Sequence, residues 1–198
     1  MENHFGKSNV FNLDPTALFA DDIRSRLGTS NIAVGGPDAG ANERADSIAH
    51  TLGAPRFAFQ KKHTGINETT LTGFSGDVAG KVTITIDDMI DTGGTIENSQ
   101  AALERFGARE RHVYAAHPVF SKGGLEKLFI AKTADKKNYA LSQLVVADTI
   151  DMDDKMASLK RQYGADEVNS RVRQLSIAGM LCSHIKNDIA KHPAMRPL

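Results

Sequence analysis

The chain has 198 residues, 40% of them apolar and 24% charged, which suits one α/β domain with an ordinary packed core. Lysine plus arginine equals aspartate plus glutamate at 24 each, so charge gives no argument for a nucleic-acid partner. A single cysteine, Cys182, excludes an intrachain disulfide and a cysteine-clustered zinc site.

No run is long and apolar enough to span a membrane. Residues 1–12 mix Glu2, His4, Lys7 and three asparagines, unlike a signal peptide. A soluble, cytoplasmic protein is expected, without internal repeats.

In chain order, Asp14-Pro15 opens a helix, with Asp as cap and Pro at the first helical position. Leu18, Phe19, Ile23 and Leu27 form its apolar face, and Gly28 ends it. Asn31–Val34 reads as a short buried strand running into Gly35-Gly36-Pro37-Asp38-Ala39-Gly40. A helix over Ala41–Leu52 follows, with Ala45, Ile48, Ala49 and Leu52 inward. Arg56–Phe59 is a third strand. Lys61-Lys62-His63 then starts a polar stretch to Gly80 with four glycines and five Thr/Ser. A loop that long without its own structure is usually functional; a basic cluster at its root reads as a flap over phosphates, or as solvated surface charge.

Residues 82–95 carry the strongest signal. Val82–Ile86 alternates β-branched residues as a strand does, and Asp87-Asp88 ends it. The turn Asp91-Thr92-Gly93-Gly94-Thr95 leads into a helix at about Ile96. Gly93 and Gly94 let the backbone approach an anion, Thr92 and Thr95 add hydroxyl donors, and the helix N-terminus adds free N–H groups. The two carboxylates suit sugar hydroxyls, or a divalent metal carrying phosphates. A sugar phosphate fits both halves. Asp38 offers the same chemistry from a neighbouring strand end: a metal on its carboxylate and phosphate on the following N–H groups.

Further on, the helix continues through Leu103 to Gly107, His112–Ala116 is a buried strand, and His117-Pro118 leaves it. Ser121–Ile130 reads as a helix with Ser121 as cap, 132–142 as a loop and Leu144–Ala147 as a strand. Residues 151–170 show little periodicity and stand as an insertion without assigned elements. A strand at Val172–Leu175 and a helix at Ile177–Ala190 close the chain. Alternating strands and helices predict an α/β fold: a doubly wound, mainly parallel sheet flanked by helices.

Residues 82–95 resemble the PRPP-binding motif of type I phosphoribosyltransferases and of ribose-phosphate pyrophosphokinases (PRPP synthetases). Gly36–Gly40, Arg44-Ala45 and Leu52–Pro55 are similar to the pyrophosphate loop and following helix of the synthetases, as are Leu144–Val146, Asp148-Thr149 and Leu175–Ala178 to their closing strands. The resemblance covers about residues 30–190 and corresponds to the C-terminal domain of a synthetase, with residues 1–29 as N-terminal segment and bridging helix. It implies a single type I phosphoribosyltransferase-like domain over 1–198, with its sheet core in 30–150 and 171–191.

The resemblance implies transfer of diphosphate from ATP to C1 of ribose 5-phosphate, giving PRPP and AMP, with Mg²⁺ as cofactor. It implies binding of the sugar phosphate by Asp87, Asp88, Asp91, Thr92, Gly93, Gly94 and Thr95. It makes Asp38, Ala39, Gly40 and Ala41 the pyrophosphate loop, Asp38 a metal ligand, and Lys61 and His63 catalytic. Three departures stand out. Ala41 replaces a usual glycine, where its methyl could crowd the backbone donors; Lys62 and His63 replace arginines; Pro118 replaces the glycine of a Thr-His-Gly near the nucleotide site, where His117 matches. A homo-oligomer with no membrane or nucleic-acid partner is expected, and the resemblance implies a further N-terminal half in the usual synthetase that supplies much of the ATP site. The alternatives are a single-domain phosphoribosyltransferase consuming PRPP, and a non-catalytic subunit or PRPP-binding regulator.

Overall fold

The computed structural model describes residues 11–65, 68–130 and 141–191; for 60–65, 68–72 and 191 only the backbone is described. The elements are α1 (Thr16–Leu27), β1 (Ile32–Gly35), α2 (Asn42–Leu52), β2 (Arg56–Gly65), β3 (Glu68–Ser75), β4 (Val82–Met89), α3 (Gly94–Arg105), β5 (Glu110–His117), α4 (Gly124–Phe129), β6 (Gln143–Ala147), α5 (Asp153–Tyr163), α6 (Ala165–Arg171), β7 (Val172–Leu175) and α7 (Ala178–Lys191). Short 3₁₀ turns at Ala39–Ala41 and Ser121–Gly123 precede α2 and α4.

Among the described residues seven strands form one sheet in the order β3-β2-β1-β4-β5-β6-β7. Every pairing is parallel except that of β2 with β3. The doubly wound α/β sheet read from the sequence is therefore present, with one antiparallel edge.

Side-chain alternation explains why helices cover both faces. Ile32 and Val34, Ile84 and Ile86, Tyr114, and Val145 and Ala147 meet α1 and α2 on one face. Val113, Ala115, Leu144 and Val146 point the other way, into a core with Leu125, Leu128, Leu159 and Val168 from α4, α5 and α6. Ala33 and Phe57 complete that second face against Leu103 of α3. Only a sheet buried on both sides lets strands read as continuous apolar runs.

One polar cluster between helix and sheet is closely paired. Tyr114 donates its hydroxyl to Asp22 of α1 at 2.8 Å, and Arg173 of β7 reaches the same carboxylate at 2.5 and 3.2 Å. This triad fastens α1 to β7. Burial raises the Asp22 pKa, but hydrogen bonds from Arg173 and Tyr114 outweigh it and leave the carboxyl below the usual range.

Four readings change. The polar stretch after Lys61 is not a structureless loop: β2 continues to Gly65 and pairs back on β3, with irregularities at Gln60/Lys61 and His63/Gly65. The stretch 151–170 is the two-helix crossover, α5 and α6, from β6 to β7. Ser121 makes no cap; the segment enters α4 through Phe120, Lys122 and Gly123, all with positive φ. At the start, Asp14 accepts from the backbone and hydroxyl of Thr16, so the helix begins one residue later than expected. Most of the loop read at 132–142 lies outside the described residues.

Candidate active site

The site forms where β1 and β4, central and adjacent, deliver their C-terminal loops to the same edge of the sheet. In such sheets this edge gathers ligands, because the turns there carry the free N–H groups of helix starts. One cavity of about 330 Å³ is lined by Asp38, Gly40 and Ala41 from the β1 loop and by the run Asp87–Ile96 from the β4 loop. Of the expected binding residues, Asp38, Gly40, Ala41, Asp87, Asp88, Asp91, Thr92, Gly93, Gly94 and Thr95 thus meet around one space, while Ala39 does not line it.

The acid pair sits on the last turns of a strand that is otherwise buried. Asp87 Oδ1 accepts the Asp88 backbone N–H at 2.8 Å, and Asp88 Oδ1 accepts that of Met89 at 2.7 Å. Arg44, on α2, brings Nη2 to 3.7 Å from Asp88 Oδ2. Burial pushes the Asp87 carboxyl up to about 7; the backbone hydrogen bond from Asp88 works against this, and the nearby charges of Asp88 and Asp38 add to it. An aspartate poised near neutrality at a cavity wall marks a functional site more often than a structural one.

The turn is built to leave donors open. Gly93, at φ +77°, precedes α3, and no side chain caps that helix. Its first N–H groups therefore have no internal acceptor at the end where the macrodipole is positive. Asp91, Thr92 and Thr95 are exposed beside them. The turn is held from outside: a Cβ on Gly124 would lie 2.4 Å from the Asp91 carbonyl, and one on Gly93 3.0 Å from Leu128. Lys127 of α4 pairs with Glu97 in the first turn of α3 at 2.5 Å, and a Cβ on Gly94 would lie 3.7 Å from its Nζ. Below, buried Gln100 donates to Thr85 of β4 at 2.8 Å, locking the helix to the strand.

The β1 loop is arranged differently from its reading. Asp38 Oδ1 accepts from Gly40 at 3.1 Å and Ala41 at 3.3 Å, so the carboxylate caps the 3₁₀ turn with the very N–H groups assigned to an anion. Ala41 is 3% exposed. A Cβ added at Gly36 would lie 2.9 Å from its methyl, so the bare glycine makes room for the alanine.

Lys61 and His63 lie on β2, opposite Leu71 and Thr69 of β3, and their side chains fall outside the described residues. Among the described residues no group of three or more His, Cys, Asp or Glu is placed to hold a metal ion. None of the helices searched there is long and apolar enough to cross a membrane. Sequence reasoning missed the roles of Arg44, Lys127, Gln100 and Gly124, which come from other elements; only the Arg44-Ala45 similarity signalled any of them.

Comparison with known proteins accords with this geometry. The phosphoribosyl transferase domain model matches residues 13–146. Two proteins named ribose-phosphate pyrophosphokinase, from Xylella fastidiosa and a Marinomonas species, are 32% and 33% identical over 89% of this chain. A solved phosphoribosylpyrophosphate synthetase from Mycobacterium smegmatis superposes with a TM-score of 0.68 at 25% identity, covering 89% of this chain and 51% of that one. The chain spans about half the length of the curated relatives it matches. With more than half of its length under the domain model, the chain belongs to the phosphoribosyl transferase domain family.

Proposed function

We propose that this chain carries the sugar-phosphate site of a ribose-phosphate diphosphokinase and takes part in transfer of diphosphate from ATP to C1 of ribose 5-phosphate. The observation behind the proposal is the single cavity joining a carboxylate pair to an uncapped helix start. A phosphate fits the Asp91–Thr95 turn and a cis-diol fits Asp87 and Asp88, a spacing of functions that ribose 5-phosphate supplies in one molecule.

In this reading the C1 hydroxyl oxygen forms a bond to the β-phosphorus of ATP. The bond from that phosphorus to the oxygen bridging to the α-phosphorus breaks, AMP leaves, and the hydroxyl proton passes to solvent. The protein's share is alignment and charge compensation. Thr92, Thr95 and the α3 N–H groups hold the 5′-phosphate. Asp87 and Asp88 orient the ring. Lys61, with His63 beside it on the hairpin, offsets charge on the transferred group. Asp38 and the pair Asp87/Asp88 face one cavity, which suits Mg²⁺, an ion usually held by one or two carboxylates together with substrate phosphates. It would supply charge neutralisation on the diphosphate. Release of Gly40 and Ala41 from Asp38 would then free two donors for that diphosphate. ATP contacts beyond these, and assembly with further copies of the chain, belong to the same proposal.

The capping of the Gly40 and Ala41 N–H groups by Asp38 favours one other reading, a PRPP-binding subunit without turnover. Incubating purified chain with ATP, ribose 5-phosphate and Mg²⁺ and quantifying AMP and PRPP separates the two. Equimolar AMP and PRPP support the kinase. Binding of PRPP without either product supports the subunit, and products that require a nucleobase instead of ATP indicate a phosphoribosyltransferase.

A further inference from the structure

A second cavity, of about 440 Å³, adjoins the first on the α1–α2 side of the sheet, and the two share Asp88 and Gly40. His117, the last residue of β5, lines it together with Thr149 and Arg44. In the β4–β5 register His117 lies opposite Met89, the residue after Asp88, and its carbonyl accepts the Ile90 N–H at 3.0 Å. The histidine backbone is thus pinned beside the acid pair, and the histidine side chain is exposed to the cavity.

Counting hydrogens fixes the tautomer of the neutral ring. Thr149 Oγ1 lies 2.6 Å from the Ala116 carbonyl oxygen, which can only accept, so the single hydroxyl proton is committed there. His117 Nδ1 lies 2.9 Å from the same Oγ1. That oxygen, its proton spent, can only accept, so Nδ1 must carry the hydrogen. A neutral imidazole has one N–H, and Nε2 is therefore a lone-pair acceptor.

We infer that Thr149 is a positioning residue that holds His117 in the Nδ1–H form, and that His117 Nε2 accepts a hydrogen bond from a hydroxyl of the sugar phosphate gripped by Asp87 and Asp88. This rests on the sugar-phosphate reading above and adds a residue to it. A sugar ring presents several hydroxyl donors, and two carboxylates use two of them. A neutral acceptor recognises another without adding negative charge to a space already shared by Asp38, Asp87 and Asp88. Arg44 completes the wall as the matching donor. A threonine serving only to tie β5 to β6 would place no demand on which imidazole nitrogen is protonated.

The test has two parts. Nitrogen-15 NMR of imidazole-labelled, ligand-free protein reads the tautomer directly, with no variant needed. The expected spectrum shows a protonated Nδ1 and an unprotonated Nε2 for His117. In Thr149→Val the preference is lost and the Nε2–H form gains population; Thr149→Ser restores the wild-type pattern. Calorimetry with ribose 5-phosphate then reads the contact, with thermal melts showing that each variant is folded. His117→Asn keeps the donor to Thr149 but has no acceptor at the Nε2 position, and its affinity falls about 5- to 10-fold, the scale of one hydrogen bond. His117→Gln sets an amide oxygen near that position and recovers most of the loss.

A wild-type Nε2–H tautomer overturns the inference, as does wild-type affinity in His117→Asn. Either result leaves the sugar-phosphate reading standing if wild type binds. Absence of ribose 5-phosphate binding by wild type overturns that reading and this role with it, even where the tautomer is as expected.

Discussion

Asp87 accepts the backbone N–H of Asp88 at 2.8 Å, so the first carboxyl of the motif is tied to the backbone of the second residue, whose own carboxyl turns to the Met89 N–H. Burial pushes Asp87 up to about 7, against an ordinary value of 3.8. The folded chain therefore holds this proton more tightly than the unfolded chain. Stability from this group is greatest below the unfolded pKa and declines as pH rises towards about 7. Asp87→Asn should raise the melting temperature at pH 8 and change it little at pH 4. Melts of both proteins across that range check the sign; a variant less stable at pH 8 contradicts it.

The same proton gives a binding signature. Sugar hydroxyls donating to Asp87 favour its charged form, so ribose 5-phosphate binding near pH 7 should release up to one proton. Calorimetry in buffers of different ionisation enthalpy measures this. No buffer dependence in wild type would remove Asp87 from the ligand's contacts, and its loss in Asp87→Asn would assign the proton to that residue.

Gly124 and Gly123 are neighbours with opposite roles. A methyl on Gly124 meets the Asp91 carbonyl at 2.4 Å, whereas one on Gly123 meets nothing within 4 Å but strains a backbone at φ +76°. Gly124→Ala should displace the turn and weaken ribose 5-phosphate binding at least 10-fold. Gly123→Ala should cost about 1 kcal/mol of stability and leave affinity within a factor of about 2, because it does not touch the turn. Equal effects in denaturant melts and calorimetry would show that α4 does not shape the phosphate site.

The Asp22–Arg173 pair predicts a stability effect far from the site. Both side chains are largely buried, so Asp22→Asn leaves an arginine without its counter-charge and should destabilise the fold by about 3 kcal/mol. The Asp22 carboxyl is held below its ordinary range. Its contribution is present above the unfolded pKa and lost as pH falls through the folded one. The cost of the substitution should therefore shrink in strong acid, as urea melts at pH 7 and pH 2.5 would reveal.

How much of this was legible in the sequence follows from side-chain pattern. Val82–Ile86 was readable as an unbroken run of β-branched residues, and Leu144–Ala147 because both faces of its strand are apolar. The β2–β3 hairpin was not, because Lys61 to Thr72 alternates polar residues with other polar residues and offers no apolar face. Helix α5 buries only Leu159, with Met156 and Tyr163 packed partly beneath it, too sparse a stripe to read. The motif run 87–95 and Asp38 were legible as chemistry because each lies in one continuous stretch. Arg44, Lys127, His117 and Thr149 complete the site from four other places in the chain, and only the folded sheet edge brings them together.

The most direct test of the central claim is titration calorimetry of ribose 5-phosphate into wild type and Asp87→Ala, with circular dichroism to show that both are folded. The account predicts saturable one-to-one binding by wild type and its loss, at least 10-fold, in the variant. Equal affinity in the two folded proteins would mean that the acid pair does not hold the sugar, and the assignment of this site would fall.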